Sequence, residues 1–516
     1  MPQPPCCRAS HRSPLSSFAE ALMSGAEPIP EIRPAGLTGL RRRSGAGSSW
    51  RIVSLAALAG LAATFAASSA HAQTLTDALA EAYNTNPQLL AQRALLRATD
   101  EQVPQALSFW RPQVTFTGQI GLATASLEAQ PGAAAQAAGI TRSVTHAITR
   151  PDVIQFQATQ PIYRGGRTVA QTRQAINTVE STRAQTLAVE TTVFQAVAMA
   201  YLDVVRDQAL VEVDRNNVEV LRKQLEATQD RFRVGEVTRT DVAQAEAALA
   251  QAQGTLVTQQ GTLEISRAEY VRAVGHPPGR LMLPRERPAL PATREEALSL
   301  AANNNFNVIS ATFAELAARD NIDVVRGQLL PQVSVIGTLA RTYDQSVNFK
   351  GTLTNSAQVT AQLTMPLYEG GAIYSQTRQA EQTVGQRRSQ VDDARRAAVQ
   401  TATQFWSTLQ AARASISSFA AAVRAAQIAL EGTQQEALVG TRTVLDVLIQ
   451  NQTLLQTQSQ LVTAQHDAAL AEFNLASAVG RLIAPELNLP VKLFDMEQHY
   501  KEVKDKWIGF RGGLSE

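Results

Sequence analysis

The chain carries one long sequence pattern twice. Residues 161–166 read PIYRGG, and residues 366–371 read PLYEGG about 205 positions later. Earlier in each copy, residues 112–114 (PQV) recur about 219 positions later as residues 331–333. A pattern that repeats at a nearly constant spacing indicates that each copy is one structural unit. The two spacings differ by about 14 residues, and the difference falls between Gly118 and Pro161, where we predict a loop rich in Ala and Gly.

Each copy predicts the same order of secondary-structure elements. In the first copy, residues 75–110 have the apolar spacing of a helix, and residues 114–120 and 154–160 then alternate apolar and polar side chains as strands do. The second copy repeats the two strands at residues 333–339 and 359–365. Each copy therefore predicts one antiparallel hairpin.

A long helical pattern follows each hairpin. It covers about residues 167–231 in the first copy and about residues 372–436 in the second, without an internal proline. At about 1.5 Å per residue, each of these helices is roughly 95 Å long. The other helices of each copy span only about 35 residues, so two of them placed end to end match one long helix. We predict a rod with hairpins at one end, tight turns at the other and the Pro-rich residues 276–291 at its middle.

The duplication divides the chain into five parts. We predict a presequence over residues 1–72, a first copy over 73–275, a linker over 276–292, a second copy over 293–480 and a C-terminal segment over 481–516. In the presequence, Arg41, Arg42 and Arg43 precede an uncharged run of about 16 residues and a small-residue AHA site, which is typical of a secretory signal peptide. The run is shorter than the roughly 20 residues that a membrane anchor needs. We expect the exported chain to begin near Gln73, with Met23 as an alternative start to Met1.

The composition excludes several classes of function. Both cysteines, Cys6 and Cys7, lie in the presequence, so residues 73–516 hold no disulfide, thiolate metal site or cysteine nucleophile. A net charge of +2 does not suit a nucleic-acid-binding protein. The four histidines after Gln73 show no metal-ligand spacing, and the chain has no G-x-S-x-G, Walker A or dinucleotide-binding motif. We predict no enzyme activity, no metal and no cofactor, so any transport must draw its energy from a partner.

The predicted hairpins suit a membrane only if several chains share them. Each strand has about ten residues and lies near aromatic side chains such as Trp110, Tyr163 and Tyr368, as strands that cross a bilayer do. After Gln73 the long uncharged runs, such as residues 447–466, are rich in Gln and Thr rather than in apolar residues, so we predict no membrane helix. Single-chain barrels have at least eight strands, so four strands must be pooled, and three chains would supply twelve. The alternative is a soluble sheet on a coiled-coil scaffold.

Both predicted turns at the far end of the rod carry the same motif, a Val-Gly pair followed by Thr and then, three residues later, Asp. The motif residues are Val234, Gly235, Thr238 and Asp241 in the first copy and Val439, Gly440, Thr443 and Asp446 in the second. Glycine can adopt the left-handed conformation that ends a helix, and Thr with an acidic residue three positions later forms a capping box for the next helix. We predict that capping is the larger part of each aspartate's role.

These features resemble the TolC family of outer-membrane efflux and type I secretion channels over essentially the whole exported chain. The most specific match is residues 439–448 (VGTRTVLDVL), supported by the P-x-Y-x-G-G motif after each hairpin. The resemblance implies an α+β membrane protein, a homotrimer whose hairpins form a twelve-stranded barrel in outer-membrane lipid above a long α-helical coiled-coil tunnel in the periplasm. It also implies an equatorial domain built from the linker and the C-terminal segment. A periplasmic adaptor protein and an inner-membrane transporter would be its partners.

The resemblance also assigns a gate to the turns. Asp446 from three subunits would narrow the periplasmic mouth. Arg442 would reach Thr240 and Asp241 of the neighbouring subunit, forming a lock that adaptor binding would loosen. The same turns would dock the adaptor, through Val234, Gly235, Val439 and Gly440.

Two positions depart from the pattern of the best-known family members. Ile449 stands where the family has a second gate aspartate, and Ala437 stands where it has an aromatic residue that helps to hold the closed state. We therefore expect one carboxylate ring instead of two, a less braced lock and weaker block by cations. Whether such a gate is more open at rest does not follow from the sequence.

The P-x-Y-x-G-G motifs predict the joints between hairpin and helix. We expect Pro161 and Pro366 to end strands, where a missing N–H is tolerated. The glycine pairs, Gly165 with Gly166 and Gly370 with Gly371, would permit the bend from barrel into helix.

An alternative function is a periplasmic adaptor or scaffold that bridges two membranes with helical hairpins. Such an adaptor would show one helical hairpin between two lipoyl-like β halves, whereas here the whole strand-and-helix unit is duplicated. The exported substrate, whether drug, metal or protein, and the class of transporter are not specified by the sequence.

Overall fold

The computed structural model describes residues 74–129, 132–139, 143–284, 287–344 and 351–510, and these described residues form one compact unit. The predicted signal peptide, the alternative start at Met23 and the cysteines Cys6 and Cys7 lie outside the described residues. The described part contains eleven α-helices and six β-strands.

The two copies of the sequence pattern share the order of helices, two sheet strands, a long helix and a returning helix, and the first copy has three additional short elements between its two sheet strands. The first contains α1 (Leu75–Thr85), α2 (Pro87–Asp100), α3 (Gln102–Ser108), β1 (Gln113–Ile120), β2 (Ala123–Ala129), α4 (Ala133–Ala137), β3 (Ser143–Thr149), β4 (Asp152–Arg164), α5 (Arg167–Arg233) and α6 (Arg239–Val274). The second contains α7 (Arg294–Asn304), α8 (Phe306–Arg326), a 3-10 turn (Gly327–Leu329), β5 (Gln332–Tyr343), β6 (Leu353–Thr364), α9 (Ala372–Leu438) and α10 (Val444–Ala478). A last helix, α11 (Gln498–Val503), lies in the C-terminal segment.

The helices α5 and α9 confirm the two predicted long helices. Each has 67 residues and is therefore about 100 Å long. One stretch of α5 is long and apolar enough to cross a membrane by length and composition, but 61% of it is buried inside the protein. Since Phe194, Val197 and Tyr201 of α5 pack in the largest buried cluster of the chain, we assign this stretch to the core.

The returning helices pack beside the long ones. Helix α6 lies against α5 and α10 against α9, while α10 also lies against α5 and so joins the two copies. Toward the tips, Val218 and Leu221 of α5 pack with Ala252 of α6 and Leu448 of α10. The buried side chain of Asn451 in α10 donates to Asn217 Oδ1 of α5 at 2.7 Å. Near the tips, apolar contacts and one buried amide pair therefore hold the two copies together.

A buried polar cluster joins three of these helices closer to the middle of the rod. His466 Nε2 of α10 lies 3.0 Å from Asp203 Oδ1 of α5, which is an ion-pair distance. Arg206 binds Asp203 and Asp207, and Ser266 of α6 donates to Asp207. Burial lowers the pKa of His466, but its contacts with Asp203 and Asp467 outweigh burial and raise it. The cluster therefore favours a protonated His466 between carboxylates.

The first predicted helix of each copy is interrupted, which corrects the expectation of one helix over residues 75–110. Asn86 has extended backbone and its side chain caps α2 by accepting from Gln88 N at 3.0 Å. Pro87 disfavours a helical conformation at the residue before it, which explains the break. The Asn86 amide also donates to Ala273 O at the end of α6. In the second copy, Asn305 makes the matching bond to Ala478 O, so each break ties the short helices together where they meet end to end.

The four predicted strands form one antiparallel sheet in the order β1-β4-β5-β6. The two predicted hairpins, β1 with β4 and β5 with β6, lie side by side and join through β4 and β5. Residues that lie directly opposite each other on neighbouring strands point to the same face of the sheet. One face therefore carries apolar side chains from all four strands, among them Val114, Phe116, Ile154, Leu339 and Val359. The other face carries mostly Thr and Gln side chains, among them Thr115, Thr117, Gln155, Gln157, Thr338, Gln358, Thr360 and Gln362.

Two details of the strands differ from the sequence predictions. The Ala- and Gly-rich stretch expected to be a loop contains a second antiparallel pair, β2 with β3, running from Ala123 opposite Thr149 to Ala129 opposite Ser143. Pro161 does not end its strand, because β4 continues to Arg164 through a register shift against β5 at this point. Past Thr159 the strand no longer pairs with β1, so the missing N–H of proline is tolerated. Pro366, as predicted, follows the end of β6 at Thr364.

The Pro-rich linker and the C-terminal segment pack against the middle of α5. The Tyr201 hydroxyl donates to Met282 O at 2.8 Å, and Leu281, Leu482 and Leu489 lie in the same core cluster as Tyr201. The buried Glu190 accepts from Ala484 N at 2.7 Å. Both segments therefore lie at the middle of the rod, where the length of the helices predicted the linker.

Candidate functional site

The turns at the far end of the long helices are tight and have the predicted form. After α5, Gly235 has φ +84° and Glu236 N donates to Arg231 O at 2.9 Å. After α9, Gly440 has φ +82° and Thr441 N donates to Glu436 O at 3.0 Å. Both turns thus use a left-handed glycine to satisfy the last carbonyls of a long helix. A side chain at Gly235 or Gly440 would be strained.

Both returning helices begin with the predicted capping box. Thr238 and Thr443 accept from the backbone N–H of Asp241 and Asp446 at 3.3 and 3.2 Å, and the two carboxylates accept in return from the threonine N–H at 2.8 and 3.0 Å. The hydrogen bond from the threonine backbone lowers the pKa of each aspartate, with the threonine hydroxyl adding to it. Each aspartate therefore caps a helix and keeps its negative charge on an exposed turn.

Arg442 pairs within its own turn. Its Nε lies 2.9 Å from Glu436 Oε2, and this contact raises the pKa of Arg442. No motif in the sequence indicated a role for Glu436, which lies six residues before Arg442 on the other side of the tight turn. The contact of Arg442 with Thr240 and Asp241 concerns a second chain and stays a prediction. Thr240 and Asp241 lie in the first turn of α6, with Thr240 exposed.

The two positions that depart from the family pattern differ in their surroundings. Ile449 lies one helical turn after Asp446 and its side chain is 51% exposed. Ala437 is buried and packs with Leu430 and Val447 at the end of the α9–α10 pair. A small residue at Ala437 therefore belongs to close packing between the helices, and Ile449 presents an apolar side chain beside the aspartate.

Exposed apolar side chains surround both glycines. Val234 and Val439 are 72% and 76% exposed, and Phe232 and Leu438 next to them are also exposed. Exposed apolar side chains that lie together on a surface indicate a protein contact site, whereas isolated ones are ordinary. Both tips thus combine a fixed backbone with an apolar surface.

The joints between sheet and long helices contain four left-handed glycines, Gly165, Gly166, Gly370 and Gly371, with φ between +60° and +82°. The second glycine of each pair stands at the N-cap of α5 or α9. Gly165 lies against Gly327, at the 3-10 turn that follows α8, whereas open space surrounds Gly370 within the chain. Within the residues that the structure describes, no three His, Cys, Asp or Glu side chains are grouped as a metal site requires.

A duplicated chain of two hairpins, two very long helices and a central packed segment, with tight capped turns at the far end, defines the class of outer-membrane channel proteins. The chain belongs to the outer membrane efflux protein family, whose model matches residues 78–276 and 297–481. The outer membrane efflux protein BepC of Brucella suis is 32% identical over 440 residues, which cover 85% of this chain and 92% of BepC. The outer membrane protein TolC of Vibrio cholerae is 28% identical over 78% of this chain and 91% of TolC.

The fold is also that of a solved channel. The outer membrane channel CmeC of Campylobacter jejuni matches with a TM-score of 0.69 over 93% of this chain and 98% of CmeC, at 14% identity. The protein is therefore an outer-membrane exit duct for efflux or secretion that extends into the periplasm and works with an adaptor and an inner-membrane transporter. It is a transport duct rather than an enzyme, and the alternative of a periplasmic adaptor is not supported.

Proposed function

We propose that three copies of this chain form one closed duct, with a twelve-stranded barrel in outer-membrane lipid above a helical tunnel. The observation that carries the proposal is the two-faced sheet with two open edges. Among the described residues, β1 pairs only with β4 and β6 only with β5. Closed barrels are the form in which strands satisfy their backbone groups inside a bilayer. Four strands cannot close alone, so the edges must meet those of other copies.

The faces of the sheet fit this arrangement. Val114, Phe116, Leu339, Val359 and Leu363 are between 60% and 80% exposed on the apolar face, which would face lipid. The Thr and Gln side chains of the opposite face would line a neutral, hydrated lumen, with bonds such as Gln358 Nε2 to Thr360 Oγ1 at 2.9 Å along the strand. Such a lumen would bear hydrogen-bonding groups and little charge.

We further propose which part of the duct each segment of the chain forms. Residues 73–275 and 293–480 would be the two repeats of barrel and tunnel. Residues 276–292 and 481–516 would form the equatorial domain, in keeping with their packing around Tyr201 and Glu190. Gly165, Gly166, Gly370 and Gly371 would be the bends from barrel to tunnel.

The tips would be the gate and the docking surface. Asp446 would form a ring of three carboxylates at the periplasmic mouth, and Arg442 would hold the neighbouring subunit at Thr240 and Asp241. The exposed turns at Val234, Gly235, Val439 and Gly440 would contact the adaptor. Their apolar exposure and their rigid glycine turns support this assignment.

The assembly is tested by purifying the mature chain from outer membranes in detergent. We expect a particle with the mass of three chains that resists dissociation until it is heated, and a conducting pore in planar lipid bilayers. A monomer that stays soluble without detergent would contradict the proposal.

Docking is tested by Gly440→Trp, with Gly440→Asn as the matched control. Asn tolerates the left-handed conformation and adds little volume, whereas Trp places a large ring on the proposed contact surface. We expect Gly440→Trp to weaken binding of the adaptor by about tenfold or more, and Gly440→Asn by less than about threefold. Binding is measured with purified trimers, whose mass must be unchanged. Equal binding by the Trp variant and the natural protein would rule out this surface.

A further inference from the structure

The internal duplication fixes how residues pair within each hairpin. In the first copy, Gln113 lies opposite Thr159, and in the second the corresponding residues, Gln332 and Thr364, lie opposite each other. Likewise, Phe116 lies opposite Phe156 in the first copy, and the corresponding residues Val335 and Ala361 lie opposite each other in the second. Residues that pair in the hairpin of the first copy therefore correspond to residues that pair in the hairpin of the second copy. Sequence correspondence between the copies thus predicts strand pairing to the residue.

The chain also shows how one copy joins the next. Where the copies meet, β4 of the first pairs with β5 of the second, with Gln157 opposite Thr338, Ala158 opposite Gly337 and Thr159 opposite Ile336. The counterpart of β4 in the second copy is β6, and the counterpart of β5 in the first copy is β1. These two counterparts are the open edges of the sheet. In a ring of identical subunits, the second copy of the repeat in one subunit lies beside the first copy in the next subunit, so β6 of one lies beside β1 of the other.

We propose that the seam between subunits repeats the seam inside the chain, residue for residue. The proposal rests on the proposed trimer and adds its register. Strand β6 then pairs antiparallel with β1 of the partner subunit, and Gln362 lies opposite Gln119 of the partner subunit. On either side, Leu363 lies opposite Gly118 of the partner subunit and Ala361 opposite Ile120 of the partner subunit.

The two faces of the sheet support this register independently of the duplication. On β6, Leu363 and Ala361 lie on the apolar face with Val333 and Val335 opposite them, while Gln362 and Thr364 lie on the polar face. On β1, Gly118 and Ile120 share the face of Phe116 and Ile154, and Thr117 and Gln119 lie on the polar face. The proposed pairs join apolar to apolar and polar to polar. A slip by one residue would turn every side chain of β1 to the wrong face.

Disulfide formation between introduced cysteines tests the register, because the described chain contains no cysteine of its own. Opposite residues of antiparallel strands alternate between closer and wider pairs, so two neighbouring pairs are needed. The variants are Gln362→Cys with Gln119→Cys, and Ala361→Cys with Ile120→Cys. The matched controls are slipped by two residues and keep both faces correct: Gln362→Cys with Thr117→Cys, and Ala361→Cys with Gly118→Cys. Each is oxidised as a trimer in detergent, then denatured and separated without reductant.

We expect at least one in-register variant to yield covalently linked trimers at about fivefold or more the amount from its slipped control, and single-cysteine variants to yield none. Equal or greater linkage in a slipped control overturns the register while leaving the trimer intact. No linkage in any double variant, with the native mass still that of three chains, shows that β6 and β1 do not form the seam. A native mass of one chain would instead contradict the proposed trimer itself.

Discussion

Replacing Gly165 by Ala should lower the stability of the assembled duct more than the same replacement at the adjacent Gly166. Gly165 has φ +62°, where an alanine costs about 1 kcal/mol. An added Cβ would also overlap the carbonyl oxygen of Gly327 and lie 2.8 Å from Leu330 Cβ. These neighbours are backbone and a chain-proximal carbon that cannot turn away, so overpacking adds about 2 kcal/mol. We expect a total loss of about 3 kcal/mol, seen as a lower dissociation temperature of the trimer in detergent and less protein in the outer membrane.

The adjacent Gly166 supplies the matched control. It has φ +73°, and no atom lies within 4 Å of the position that its Cβ would take. Gly166→Ala should therefore carry only the backbone cost of about 1 kcal/mol. If the two variants lower the dissociation temperature equally, the contact between Gly165 and Gly327 does not hold the joint. The expected shift for Gly165→Ala is at least about twice that for Gly166→Ala.

Identical motifs in the two copies do not have identical surroundings, and this limits what the sequence can predict. The P-x-Y-x-G-G motif predicted both joints, and all four glycines have the left-handed backbone expected of them. The motif could not show that Gly165 is packed against Gly327 of the other copy while Gly370 has no such neighbour within the chain. That difference arises because the single chain contains one seam between copies, and β4 and α5 lie on it.

The long helices were predicted to within two residues of their ends, whereas β4, β5 and β6 each extend four to six residues beyond one predicted end. The long helices and the four sheet strands follow from unbroken spacing of apolar residues and from Thr-Gln alternation. The breaks at Asn86 and Asn305 were missed because capping by Asn interrupts a helix without disturbing its apolar spacing. The pair β2 with β3 was missed because an Ala- and Gly-rich composition gives weak strand propensity. The strand continues through Pro161 because β1 no longer pairs with β4 there, so the missing N–H of proline breaks no hydrogen bond to β1. The sequence around Pro161 does not show where this pairing ends.

At the tips, local sequence predicted local chemistry. The spacing of Thr443 and Asp446 gave the capping box, and Gly440 gave the turn. The pairing of Arg442 with Glu436 was missed because it depends on the geometry of the turn between them. The roles of these residues toward other subunits depend on a second chain, so one sequence cannot demonstrate them.

Replacing Asp446 by Asn should abolish most of the block of the duct by divalent cations. In the proposed gate, three ionised carboxylates around a narrow mouth would form an oxygen-rich, negatively charged site of the kind that divalent cations prefer. The hydrogen bond from Thr443 N lowers the pKa of Asp446, so the charge and the block should persist from neutral into mildly acidic solution. The Asn side chain can still accept from Thr443 N, so the cap survives while the charge is lost. The half-blocking concentration is the concentration of a divalent cation that halves the conductance of the duct in a planar bilayer. We expect it to rise about tenfold or more.

The first tip supplies the control for this effect. Asp241 forms the same capping box but is proposed to bind Arg442 of the neighbouring subunit, so Asp241→Asn should raise the resting conductance and leave the half-blocking concentration within about twofold. The converse variant is Ile449→Asp. Ile449 is exposed one turn after Asp446, so a carboxylate there is tolerated and adds a second ring. Ile449→Asp should therefore lower the half-blocking concentration by about tenfold. If neither Asp446→Asn nor Ile449→Asp moves the half-blocking concentration, the carboxylate at Asp446 does not line the narrowest part of the mouth.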